Sequence, residues 1–316
     1  MTNVALGKTT TTEFAATITG PLTHNPHAPN RTPGGSSSGS GAAVGDMQVP
    51  IALGTQTGGS TIRPGSFNGI YAMKPTWNAI SREGQKIYSL IFDTLGLYAR
   101  SVDDLQLLAD VFNLHDDDET VESFSLKNAK FAVLKTMVWP QVGEGTAAAM
   151  ERGAQLLREH GATVEEIELP PEFNDLPLYH KKIMANDGRV TFHPDYCLAK
   201  NKLASSLIGH VENAQKFTKK EQLAAFDAIA ALRPKIDQIA EQYAAIITPS
   251  VPDEAPVGIE HTGSAAFCSI WTVCILYHLS YFMPSHSLIG LTYSCCQCAR
   301  IQRREWLTDR AVARCP

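Results

Sequence analysis

Apolar residues in this chain fall into short continuous runs separated by stretches with helical spacing. Val49–Leu53, Gly69–Met73, Phe131–Leu134 and Ala245–Thr248 are such runs, the pattern of strands covered on both faces. Gly69–Met73 is stopped by Lys74-Pro75. Val164-Glu-Glu-Ile-Glu-Leu169 roughly alternates and predicts a more exposed strand. Between these runs, Ser101 stands as an N-cap, with Asp103 and Asp104 in the first turn and Leu105, Leu107, Leu108 and Val111 behind them. Thr146–His160 predicts a helix ended by Gly161, and Lys220–Tyr243 a long helix broken at Pro234. Thr12–Thr17 predicts a short helix and Ala42–Asp46 a helical turn. Strands alternating with helices predict an α/β fold with a mixed, largely parallel central sheet.

Residues 20–41 are rich in Pro, Gly, Ser and Asn and would pass for a flexible linker, but both flanks carry structured patterns. A glycine-rich loop between buried elements is more often a site than a linker. At 316 residues, 44% hydrophobic and 19% charged, the chain has enough material for one large core or two smaller ones. A net charge of −5 points away from nucleic acid and membrane surfaces, and no secretory signal pattern opens the chain, so a cytoplasmic location is expected.

The chemistry concentrates in Gly34–Thr76. Gly34-Gly-Ser36-Ser37-Ser38-Gly-Ser40 is followed by Gly54-Thr-Gln-Thr57-Gly58-Gly59-Ser60-Thr61. The second run follows an apolar strand, and its glycines allow a tight turn whose N–H groups converge on an oxyanion beside Ser60. Serine needs a base to act as a nucleophile, and no histidine lies near Ser60 in sequence; the serine loop 24 residues earlier is a candidate relay. Taken alone, either run reads as an ordinary loop. A phosphate cradle is a weaker reading still, because GxxxxGK[ST] fails for want of a lysine before the hydroxyl residue, and G-x-S-x-G fails because Ile62 occupies the final glycine position.

Taken together, the two loops and Gly69-Ile-Tyr-Ala-Met-Lys-Pro-Thr76 resemble the amidase-signature family. Leu6-Gly-Lys-Thr9, Glu13-Phe-Ala15, Phe92-Asp-Thr-Leu-Gly96, Ala99-Arg-Ser-Val-Asp-Asp-Leu105 and Thr248-Pro-Ser-Val-Pro252 extend the resemblance over roughly residues 1–272. It implies an α/β/α fold and hydrolysis of carboxylic amides by a Ser–cis-Ser–Lys mechanism without metal or other cofactor. Ser60 would be the nucleophile and Ser36 the bridging serine after a cis peptide. Thr57, Gly58, Gly59 and Ser60 would supply the oxyanion hole. Thr32-Pro-Gly-Gly-Ser-Ser-Ser and Ser60-Thr-Ile-Arg63-Pro look most like the malonamidase-like branch of small-amide hydrolases; amidotransferase subunits usually read Ser-Ile-Arg-Gln-Pro there. The resemblance makes Arg63 and Ser37 candidate substrate ligands, Arg63 for a carboxylate. The competing reading of Arg63 is a structural ion pair. The implied partner is a small-molecule amide, with no nucleic acid or membrane; a homodimer is allowed.

The family's catalytic lysine belongs to a Val-Lys-Asp type of segment, expected several tens of residues before the bridging serine. Only 35 residues precede Ser36, and Lys8 belongs to a different motif. The chain is therefore expected to lack its base, to be incomplete at both ends, and to show little amidase activity of its own. The alternative is an inactive pseudo-enzyme or a truncated gene-model product. At the other end, five of seven cysteines (Cys274, Cys295, Cys296, Cys298, Cys315) follow residue 273. Back-translating residues 297–316 and reading one base later permits Asn-Val-Pro-Gly-Phe-Lys-Gly-Glu-Asn-Gly-Leu-Pro-Ile-Gly, the segment the family pattern calls for. Residues 1–272 are thus expected to form a partial domain, with 273–316 a mistranslated, loosely packed tail and its cysteines no metal site. His24 and His27 read as loop histidines that could line the pocket. His160 reads as a helix-end dipole partner, Glu165, Glu166 and Glu168 as strand-surface carboxylates, and Asp116–Glu119 as a solvated turn.

Overall fold

The computed structural model describes residues 6–114, 125–274, 278–282 and 290–294. Asp116–Glu119, Cys295, Cys296, Cys298 and Cys315 lie outside them. The strands are β1 (Ile51–Gln56), β2 (Tyr71–Lys74), β3 (Thr94–Ala99), β4 (Lys130–Lys135), β5 (Thr163–Glu168), β6 (Ala245–Pro249), β7 (His278–Phe282) and β8 (Gly290–Ser294). They form one sheet in the order β1-β3-β2-β7-β8-β6-β4-β5. Strands β4, β5 and β6 pair in parallel, and every other pairing is antiparallel. The sheet is mixed, as expected, but its parallel part is confined to one end. The reason is visible in the connections: β4, β5 and β6 are joined by long helical crossovers, whereas β2 and β3 are linked by a loop that returns the chain antiparallel.

Alternation within the parallel end builds three layers. Ala132, Leu134 and Ile246 face a cluster with Ile183 of α5 (Leu176–Thr191), Ile229 and Ile236 of α8 (Lys219–Ala240), and Trp271 of α9 (Ala266–Val273). Phe131, Val133 and Ile247 face Met150, Ala154 and Leu157 of α4 (Glu144–Glu159). At the antiparallel end, Leu97 and Ala99 meet Leu105 and Leu108 of α3 (Val102–Val111). Tyr98 and Ala72 point the other way, against Val44 of α1 (Ser38–Gly45) and Ile62 of α2 (Ile62–Phe67). The short helices α6 (His193–Ala199) and α7 (Ser205–Val211) follow α5.

Most local expectations hold, and the departures are instructive. Ser101 caps α3, its hydroxyl accepting from the Asp104 N–H at 3.0 Å. Gly161 ends the turn after α4 with φ 87°. Helix α8, expected to break at Pro234, runs through it. Ile229, Leu232, Ile236 and Ala240 bury one stripe across the proline, and that packing outweighs one missing N–H. Thr12–Thr17 contains only a 3-10 turn at Glu13–Ala15, with Phe14 and Ala15 at positive φ. The run Val49–Leu53 becomes β1, shifted two residues later and lying at the sheet edge, with Ile51 and Leu53 partly exposed.

The two sheet edges are protected differently. Strand β5 carries Glu165 and Glu166, paired with Lys130 and Lys135. On β1, both main-chain groups of Thr55 and the carbonyl of Leu53 are taken by serines flanking or within α1. The Thr55 N–H donates to Ser37 Oγ at 3.0 Å, and Ser40 Oγ donates to the Leu53 carbonyl at 2.7 Å. Gly54 makes this approach feasible, since a Cβ there would stand 2.6 Å from the Tyr98 ring and 3.0 Å from Ser37 Oγ.

Candidate active site

The turn between β1 and α2, Thr57-Gly58-Gly59-Ser60, is where the sequence motifs converge. All four of its carbonyls accept hydrogen bonds. His180 Nε2 lies 2.9 Å from the Thr57 carbonyl and Thr272 Oγ1 donates to that of Gly58 at 2.7 Å. The Arg63 N–H donates to the Gly59 carbonyl at 2.9 Å, and the Tyr98 hydroxyl to that of Ser60 at 3.2 Å. Thr57 is held again through its side chain, whose hydroxyl donates to Asp93 Oδ1 at 2.6 Å. Just before the turn, Gln56 Oε1 accepts from the Thr61 and Ile62 N–H groups, both at 3.0 Å, and so caps the start of α2. Among the described residues, no acceptor takes the N–H groups of Thr57, Gly58, Gly59 or Ser60. A turn with every carbonyl tied back and its N–H groups free is suited to bind an anionic oxygen.

The serine loop is brought against this turn. The Ser37 N–H donates to the Ser60 carbonyl at 3.4 Å. The Gly35–Ser36 peptide is cis. Ser36 is buried, and its hydroxyl has no hydrogen-bond partner among the described residues. Ser60 is half-buried. Ser37, in contrast, spends its hydroxyl on both main-chain groups of Thr55. Arg63 is buried with its guanidinium turned onto protein oxygens. Nη1 donates to the Gly263 carbonyl at 2.9 Å, and Nη2 donates to the Gly35 carbonyl and to Thr262 Oγ1. Its Nε has no partner among the described residues, and burial lowers its pKa to about 10. Among the described residues no carboxylate pairs with it, so the ion pair considered from sequence is not what occupies it; main-chain carbonyls are.

The comparisons fit these elements. The family model described as Amidase matches residues 2–280. The chain belongs to the amidase family. It is 36% identical over 192 residues to the A subunit of the glutamyl-tRNA(Gln) amidotransferase of Lactobacillus delbrueckii subsp. bulgaricus, a match spanning 57% of this chain and 39% of that protein. The corresponding protein of Sulfurisphaera tokodaii is 35% identical over 192 residues, covering 56% of this chain and 40% of its own length. The chain thus spans about two fifths of the curated relatives it matches. Among solved structures, a crystal structure of an amidase superposes with a TM-score of 0.78 at 23% identity, covering 90% of this chain and 69% of that one. A fatty acid amide hydrolase does so with 0.76 at 19% identity, covering 90% and 61%. Those two likenesses establish the shared fold.

Several residues around the turn carry no signal in the sequence. His180 is one; it sits 123 positions from Thr57 in an ordinary amphipathic helix, so nothing local marks it. Its Nε2–H is committed to that carbonyl. Lys74 is another. By sequence it is a strand stop, yet it is the last residue of β2 and fully buried, with Nζ on the Pro75 carbonyl at 2.8 Å. Burial lowers its pKa to about 7. Asp93 and Asp187 are raised by burial; Ser89 Oγ donates to Asp187 Oδ2 at 2.6 Å. The loop histidines are engaged elsewhere, His24 Nδ1 with the Pro29 carbonyl and His27 Nε2 with that of Asn68. His160 Nδ1 caps its own helix end on Leu156. Lys8 is exposed. No group of His, Cys, Asp and Glu among the described residues is arranged to hold a metal, and no described helix is long and apolar enough to cross a membrane.

Proposed function

We propose that this chain carries the acyl-transfer half of an amide hydrolase, with Ser60 as nucleophile and Ser36 as proton relay. The reading is supported above all by the Thr57–Ser60 turn, whose carbonyls are all bonded away while its N–H groups stay free beside Ser60. Ser60 Oγ attacks the amide carbon, and the negative charge that develops on the carbonyl oxygen is taken by the N–H groups of the turn. The C–N bond then breaks, the amine leaves with a proton, and water releases the acyl group from Ser60. Ser36 hands the Ser60 proton to a base. The buried, unpartnered Ser36 hydroxyl is consistent with that relay, because such a group requires a partner. No described residue supplies one, and the family resemblance assigns the place to a neutral lysine amine.

Two substrate readings follow from different observations. Pro64 directly after Arg63, with no glutamine between, favours small acidic amides, with Arg63 turning its free Nε or exchanging a carbonyl to hold the substrate carboxylate and Ser37 beside it. The curated relatives favour an amidotransferase subunit. The deciding experiment has two parts. Ser60 is reacted with a serine-directed fluorophosphonate and the adduct located by mass spectrometry; an adduct absent from Ser60, or unchanged in Ser60→Ala, sinks the nucleophile assignment. The labelled rate is then competed with malonamate and with glutamine, and the better competitor identifies the substrate class.

A further inference from the structure

We infer that His180 is a positioning residue for the oxyanion turn, holding the Thr57 carbonyl so that the N–H groups of Gly58, Gly59 and Ser60 face the reacting oxygen. This inference rests on the proposed role of that turn and adds α5 to the machinery. A carbonyl oxygen only accepts, so the 2.9 Å contact requires the proton on His180 Nε2. The tautomer is therefore set by the contact itself. The ring is packed to keep it there: it stacks on Phe92 with centroids 5.1 Å apart and an interplanar angle of 29°. Its Cε1 stands 3.4 Å from where a Cβ on Gly58 would be, so the imidazole also forms one wall of the turn. Burial holds the ring toward its neutral form.

The second grip on Thr57 explains why one bond from α5 matters. Asp93 takes the Thr57 hydroxyl with Oδ1 and the Tyr88 N–H with Oδ2, both at 2.6 Å. Asp187 of α5 in turn receives Ser89 Oγ and, on its other oxygen, Gln222 Nε2 of α8, again both at 2.6 Å. Thr57 is thus held on its carbonyl by α5 directly and on its side chain by a loop that α5 and α8 fasten. Without His180, the Thr57–Gly58 peptide keeps the side-chain grip but is free to rotate about it. Misplacement of a catalytic group by about 1 Å costs on the order of 10²-fold in rate.

The test uses the full chain with His180→Phe, which keeps an aromatic ring on Phe92 and removes the donor, and His180→Gln, which restores an N–H at the same reach. Amide hydrogen exchange at Thr61, Ile62 and Arg63, whose N–H groups bond to Gln56 Oε1 and to the Gly59 carbonyl around the turn, is read beside that of β4 and β6. The Phe variant is expected to speed exchange at these three amides about tenfold, the loss of one buried hydrogen bond, with β4 and β6 unchanged and the Gln variant close to wild type. Equal exchange in wild type and Phe variant overturns the inference. If the Phe variant does not fold, long-range proton–nitrogen spectra of wild-type His180 decide: a slowly exchanging Nε2–H is expected, and an Nδ1–H tautomer overturns the assignment. Ser60 phosphonylation separates this from the proposed function. Faster exchange with no label on wild-type Ser60 would leave the clamp standing and remove the nucleophile.

Discussion

The Ser37 N–H donates to the Ser60 carbonyl at 3.4 Å, which joins two loops that the sequence separates by a helix and a strand. That contact places the residue after Ser36 on the residue expected to attack. It makes the pair testable as a unit. Ser60→Ala is expected to abolish fluorophosphonate labelling, and Ser36→Ala to slow it severalfold, roughly two- to tenfold because no described residue stands as a base behind Ser36, with little change in melting temperature for either. Equal labelling in Ser36→Ala and wild type would remove Ser36 from the proton path.

A buried hydroxyl without a partner can be offered one. Adding a small primary amine such as methylamine is expected to raise the Ser60 labelling rate about tenfold or more at pH values where the amine is partly neutral. The increase should vanish in Ser36→Ala. An increase that survives that substitution would mean the amine acts elsewhere.

Lys74 predicts a pH dependence of stability. Its folded pKa is about 7, while an unfolded lysine titrates near about 10.4. Between those values the unfolded chain binds a proton that the folded chain does not, so this group makes stability rise with pH across the window and leaves it lowest and flat below. Lys74→Met should therefore be more stable than wild type at about pH 6, by up to a few kcal/mol, with the advantage shrinking toward about pH 10. Denaturant melts at both pH values check the sign.

Arg63 is bonded to the carbonyls of Gly35 and Gly263, from segments far apart in the chain. Arg63→Met leaves one buried and one half-buried carbonyl without donors and should cost about 1–3 kcal/mol of stability. If Arg63 also binds a substrate carboxylate, protection of Ser60 by malonamate should fall more than protection by its neutral diamide. Equal losses would confine Arg63 to a structural role.

Pro234 is exposed and sits within α8. Pro234→Ala restores one main-chain N–H to the helix and should stabilise the protein by about 1–3 kcal/mol in thermal melts. A loss of stability would show that the proline sets a helix bend the core depends on.

The sequence reveals this architecture unevenly, for physical reasons. Phe131–Leu134 and Ala245–Thr248 announce β4 and β6 because both faces are covered, so no polar residue interrupts the run. β3 is hidden for a related reason: Thr94–Ala99 holds Gly96, where a Cβ would stand 2.1 Å from Thr61 Oγ1, and a glycine in so short a run reads as a turn. Ser36, Ser60 and the turn glycines are legible because their chemistry depends on local spacing. His180, Thr272 and Tyr98 are not, because each reaches the turn from a distant element and nothing in its own neighbourhood requires it. Lys74 escapes a sequence reading because charge beside proline usually means solvent, and only the neighbouring strands reveal its burial.

Ser37 and Ser40 cover the open side of β1 at Thr55 and Leu53, and Ser36 lies one position before the first of them. The residues that keep this sheet from recruiting a foreign strand are therefore interleaved with those proposed to move a proton. A substitution that loosens α1 from Leu53 and Thr55 would expose a ladder of free main-chain groups. Aggregation and loss of reactivity would then arise from one event, and selection for solubility alone would also preserve the geometry of the serine loop.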